Sequence, residues 1–223
     1  VLAVRSLTHA PLEPFTGMLA DRYSRKGLMV LANGGSFVIL VAFLSFDLLG
    51  SLWSVYALTS MLVVARVLFD PAEYAYLPNI CDDDELLTAN AMGSAGWSVS
   101  LGIGAGLGGL TISELGVYEA LWIDTLTFLV SALIFASLPP GGPEKDKGRE
   151  GGIKMALREI GDGWIHIKDN APIRRVVFAK AMWAAGGGAQ VFLLILIGME
   201  AGFGSVAAGS IGILYMARGF GSG

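Results

Sequence analysis

The sequence predicts an all-α polytopic membrane protein, and three observations carry the prediction. The 223 residues are 54% hydrophobic and only 15% charged, with a mean hydropathy of +0.63. A soluble domain charges about a quarter of its residues. Long apolar runs without any charge recur along the chain, and eleven of the fifteen Lys and Arg fall in two segments, 20–27 and 139–175.

A helix needs about 20 apolar residues to cross the hydrocarbon core of a bilayer. Residues 27–46 are charge-free and make one span. Residues 48–65 are also charge-free, and the pattern continues to Leu77. Residues 86–113 make a Gly-, Ser- and Ala-rich span, and 119–138 make another, interrupted by Asp124. Residues 173–198 and the shorter 201–217 follow the polar stretch after Leu138. The opening segment, 1–19, is a weaker span because it carries Arg5, His9 and Glu13. Seven spans are therefore expected.

Orientation follows from the basic residues, which accumulate in cytoplasmic loops. The turn at 20–27 holds Arg22, Arg25 and Lys26. The stretch 139–175 holds Lys145, Lys147, Arg149, Lys154, Arg158, Lys168, Arg174 and Arg175. These two segments lie an even number of crossings apart. The opposite loops, 47–51, 113–119 and 198–205, contain no Lys or Arg. The basic loops are thus expected inside the cell, in a multi-pass protein of the plasma membrane, the inner membrane of a bacterium.

Composition also excludes functions. One cysteine, Cys81, and two histidines leave no disulfide framework and no multi-Cys/His zinc site. No Walker-type phosphate loop occurs. No cofactor and no metal is expected, and the net charge of −4 carries no signature of nucleic-acid binding. A membrane-embedded enzyme would need a nucleophile and base, or a metal cluster, facing each other in the bundle. His9 and His166 are the only histidines, and the topology sets His166 in the polar linker.

The most informative stretch is GMLADRYSRKG, Gly17–Gly27. Gly17, Leu19, Ala20, Asp21, Arg22, Arg25 and Lys26, set between two spans, resemble the signature loop of the major facilitator superfamily. Ser24 stands where a second glycine is usual. FDPAEYAYLPNICDDDELLTANAM (Phe69–Met92) looks like the junction of helices four and five in the drug- and siderophore-export branch of that family. LWIDTLTFLVSALI and REIGDGWIHIKDNAPIRRVV resemble its helix six and its approach to helix seven. The resemblance implies a partial major facilitator fold: helices two to eight of twelve, with helix one missing and the chain cut at both ends. It divides the chain into 1–138, the end of the N-terminal half; 139–172, a cytoplasmic linker; and 173–223, the start of the C-terminal half. The linker opens with the polar PPGGPEKDKGREGG. It then becomes an amphipathic helix, with Ile153, Leu157, Ile160, Trp164 and Ile167 on one face.

Charge in hydrocarbon is costly and marks function or a buried partner. Arg66, Asp70 and Glu73 share one face of a span at i, i+4 and i+7, so Arg66 can pair with Asp70. The resemblance implies that Arg66 can also pair with Asp21 in a cytoplasmic gate formed with Gly17, Arg22, Arg25 and Lys26. Glu13 and His9, four residues apart, are candidate proton carriers together with Asp70. Gly96, Gly104 and Gly108, with Ser100, make one small-residue stripe. Gly102 and Gly106, with Ser98, make a second. Small residues at this spacing let helix backbones approach closely. GIGAGLGG resembles an antiporter glycine motif without its proline.

The expected function is proton-coupled efflux of a small amphipathic compound (a drug, macrolide or siderophore) by alternating access, from a monomer when full length. The partners implied are that small-molecule substrate, protons and the lipid bilayer. A transport-inactive sensor or scaffold of the same fold is the alternative, ahead of a membrane-embedded enzyme.

Overall fold

The computed structural model of the chain describes residues 2–82, 84–140, 153–201 and 207–221. Most of the Gly/Pro-rich part of the expected linker, 141–152, lies outside the described residues. So do 202–206 and Asp83.

The described residues form eight α-helices: α1 Leu2–Arg22, α2 Arg25–Ser45, α3 Leu52–Tyr76, α4 Leu86–Leu115, α5 Val117–Ser137, α6 Ile153–Asp169, α7 Ala171–Ala201 and α8 Ala207–Gly221. Short 3₁₀ turns, Leu48–Gly50 and Leu77–Asn79, flank α3. Five helical stretches are long and apolar enough to cross a bilayer: Arg25–Ser45, Leu52–Asn79, Leu86–Leu115, Val117–Ser137 and Ala171–Glu200. The other two expected spans are helices as well. In α1, Arg5, His9 and Glu13 dilute the apolar pattern, and α8 is described over only fifteen residues. The chain is thus an all-helical, multi-pass membrane protein, consistent with a partial major facilitator fold.

The chain divides into two compact units: residues 1–89 with 121–156, and residues 90–120 with 157–223. In the first, α2 buries Leu28, Met29, Ala32, Ser36, Leu40 and Leu44, nearly all at helical spacings of four residues. α3 buries Leu58, Val63, Val67, Ala72 and Tyr76, and α1 contributes Thr16 and Ala20. One end is closed by Ala20, Leu28, Met29, Ala72 and Tyr76, with Phe69 and Phe135 packed against them. The two phenyl rings meet edge to face at 5.2 Å. Buried hydroxyls are satisfied within their own helix: Ser36 Oγ donates to Ala32 O at 2.9 Å and Thr125 Oγ1 to Leu121 O at 2.7 Å. An apolar solvent demands such internal pairing of polar groups.

In the second unit, α8 lies against α4 and α7. Gly198 of α7 faces Ile211, and Tyr215 Oη approaches Val191 O at 3.5 Å. Gly116 joins α4 to α5 with φ +102°, a left-handed backbone that glycine adopts without strain. Large apolar side chains stand exposed along the spans, among them Leu31, Val38, Leu107, Val130, Leu133 and Phe192. In water such a surface would drive aggregation; it suits hydrocarbon.

Candidate functional site

The charged loop is tighter than the sequence suggests. α1 continues through Arg22 and α2 begins at Arg25, so only Tyr23 and Ser24 separate the helices. Ser24 explains the early restart, because its Oγ accepts a hydrogen bond from Gly27 N at 3.2 Å and caps α2. Arg22 therefore sits in the last turn of α1, where a cation is favoured by the helix dipole. Asp21 beside it is exposed.

Arg25 and Lys26 lie in the first turn of α2, where that helix's own dipole opposes them. Their side chains leave it and reach the C-terminal ends of two other helices. Arg25 Nη1 donates to Ala75 O at 2.8 Å and to Asn79 Oδ1 at 2.6 Å, at the end of α3. Lys26 Nζ donates to Leu138 O at 2.5 Å, just past α5. Tyr76 Oη donates to Pro139 O at 2.8 Å, tying α3 to the same place. The last carbonyls of a helix have no partner within it and carry the negative end of its dipole, so cationic donors are well matched there. The arrangement is a clamp that holds the ends of α2, α3 and α5 together.

Tyr76 and Asn79 were not singled out from the sequence. The available signal was a tyrosine and an amide bracketing Leu77–Pro78, where the residue before proline is biased away from the helix.

Further along α3, Arg66 Nε lies 2.7 Å from Asp70 Oδ1 and 3.0 Å from Oδ2, and both side chains are partly exposed. Pairing along the helix lowers the cost of both charges in the membrane. Glu73 lies on the exposed side of the same helix. Arg66 precedes Tyr76 by ten residues, about 15 Å at the helical rise. Ala20 packs with Tyr76 and Ala72, so Asp21 belongs to the clamp's end of the unit rather than to the level of Arg66. In α1, His9 Nδ1 lies 3.5 Å from Glu13 Oε1. Gly17, one turn before Asp21, has open space where a Cβ would stand.

The glycines of α4 divide by face. Ser98, Gly102, Gly106 and Gly109 are buried. A Cβ on Gly102 would meet Met216 O and the Phe220 ring at 3.3 Å, and one on Gly106 would meet Met216 Sδ at 2.9 Å. From the other side, a Cβ on Gly212 would come within 2.7 Å of Ala105 O, and one on Gly219 would collide with the backbone of Gly102. This is a backbone-to-backbone seam between α4 and α8. Gly96, Gly104 and Gly108 have open space around them.

Several apolar helices long enough to span a bilayer, with a basic end and an intrahelical ion pair, define a polytopic membrane protein. The chain belongs to the Major Facilitator Superfamily, whose family model matches residues 1–223. It is 30% identical over 128 residues to the uncharacterized MFS-type transporter YfiS of Bacillus subtilis (strain 168), a match covering 57% of this chain and 30% of that protein. It is 28% identical over 195 residues to the lysophospholipid transporter LplT of Photorhabdus laumondii, covering 85% of this chain and 46% of the relative. LplT of Yersinia pestis (strain Pestoides F) is 27% identical over 139 residues, covering 59% of this chain and 31% of the relative. The chain thus matches less than half the length of each of these relatives. None of the three bears the name of a drug or siderophore exporter. No solved structure matches.

Proposed function

We propose that the full-length protein is a secondary transporter that moves a small amphipathic solute by alternating access, exporting it in exchange for protons. The observation that carries this reading is the clamp. The signature-loop bases bind the ends of α3 and α5 while the loop acid, Asp21, is left exposed to engage a partner as the transporter cycles. Residues 1–138 then belong to the N-terminal half, 139–172 to the connection, and 173–223 to the C-terminal half. Gly17, Asp21, Arg22, Arg25 and Lys26 form the cytoplasmic gate at the clamp, and Arg66 joins it from further along α3 as the helices move. Glu13, His9 and Asp70 are the groups offered for proton coupling.

Two of the three relatives are lysophospholipid transporters, which favours a second substrate within the same amphipathic class. The test is transport by the full-length protein in proteoliposomes under an imposed pH gradient. Fluorescent amphipathic cations and labelled lysophospholipid are offered in parallel. Gradient-driven movement of the cation, abolished by Asp21→Asn, supports the efflux reading. Lysophospholipid movement that ignores the gradient removes proton coupling and leaves the lipid reading. Movement of neither, by a folded protein, overturns both.

A further inference from the structure

We propose that α6 docks on the phospholipid headgroup layer, with Trp164 and Ile167 seated at the acyl boundary of the membrane surface from which α7 departs. Three features support it. First, Ile153, Leu157, Ile160, Trp164 and Ile167 recur in the sequence at spacings of four, three, four and three, the pattern of an apolar stripe on an amphipathic helix. Trp164 is 70% exposed, although tryptophan is the side chain most at home at a membrane interface.

Second, α6 is fixed at the bilayer's edge by its continuity with α7. Asn170 alone separates the two helices. The stretch Ala171–Glu200 is long and apolar enough to span, and Val176, Phe178, Met182 and Trp183 along it are exposed. Pro172 carries no backbone N–H, so it gives Lys168 O no helical donor. Arg174 Nη1 of α7 donates to Lys168 O at 2.5 Å and pins the last turn of α6 to the start of the span. A helix of seventeen residues tethered this way extends only about 25 Å from that point.

Third, the charges are placed for a headgroup layer. Lys168 is exposed and lies one helical step beside the Trp164 stripe, within reach of lipid phosphate. Arg158 and Asp162, the latter nearly opposite the stripe, pair loosely at 4.0 Å. A helix with one apolar face and a charged back lies in the plane of the interface rather than across it. The stripe therefore continues a lipid-facing surface that α7 already presents.

The test uses the full-length protein with its cysteines, Cys81 included, replaced by serine. Nitroxide labels are attached to single cysteines at 162, 164 or 167, in vesicles of phosphatidylglycerol and phosphatidylethanolamine. Power saturation with oxygen and with a water-soluble nickel chelate reads the surroundings of each label. Labels at 164 and 167 are expected to meet oxygen and be shielded from nickel, with the reverse at 162. In the Trp164→Glu background, the label at 167 is expected to shift toward the values at 162. Nickel access at 164 and 167 equal to that at 162 would place α6 in water and overturn the proposal. Shielding from both reagents would mean that protein covers the stripe, and would overturn it equally. Because the label at 167 leaves Trp164 intact, the readout does not depend on losing the anchor it tests.

Discussion

Lys26 and Arg25 offset an unfavourable place at the start of their own helix by reaching carbonyls at the ends of others. Replacing Lys26 with Met removes a charged donor from Leu138 O. A hydrogen bond to a charged group contributes about 1.5–3 kcal/mol. The full-length Lys26→Met protein in detergent should melt several degrees lower, whereas Arg22→Met, whose side chain is exposed, should melt nearly unchanged. Arg66 and Asp70 form a pair whose halves are each a liability alone. Arg66→Met strands the Asp70 carboxylate in the membrane and should reduce both yield of folded protein and transport. Adding Asp70→Asn should restore the yield, because it removes the stranded charge. A double mutant as poorly folded as the single one would show that Arg66 acts through its other contacts. The carbonyls of Ala75 and Leu138 were not legible in the sequence. A main-chain acceptor has no residue type, so no spacing announces it.

At the scale of helices, most of the architecture was readable. Charge-free runs of about 20 residues admit little besides a spanning helix in a chain this apolar. The interval at Arg22–Arg25 was misjudged in length because a cluster of charges suggests a loop, while Ser24 allows α2 to restart at once. The glycine stripes of α4 show the other limit. Gly96–Gly104–Gly108 and Gly102–Gly106 look alike in sequence, and only the position of α8 distinguishes them. That difference is measurable. Gly219→Ala drives a methyl into the backbone of Gly102, and crowding a packed seam costs about 1–3 kcal/mol. Its melting temperature should fall. Gly104→Ala meets open space in mid-helix and should be neutral or more stable by up to about 1 kcal/mol. Equal effects at the two positions would remove the seam.

For the whole molecule, the distribution of Lys and Arg predicts an orientation with the turn between α1 and α2 inside the cell. In intact cells, a cysteine at Ser24 should resist a membrane-impermeant maleimide until the membrane is opened. One at Ser51, beyond the other end of α2, should react from outside. The reverse pattern would invert the assignment of every loop to its side. Membership of a transporter family follows from the match over the full chain, while no motif in the sequence spells out the solute. Specificity belongs to the shape and polarity of an internal cavity, and such properties arise from many helices at once.

One consequence concerns how this protein is able to evolve. Lys26 and Tyr76 both grip main-chain oxygens, at Leu138 and Pro139. Every amino acid supplies that oxygen, proline included. The exposed Pro139 can therefore be exchanged without loosening the grip, whereas the Leu138 side chain also packs against the core beside Tyr76. Saturation mutagenesis should find position 139 permissive and positions 26, 76 and 138 restricted.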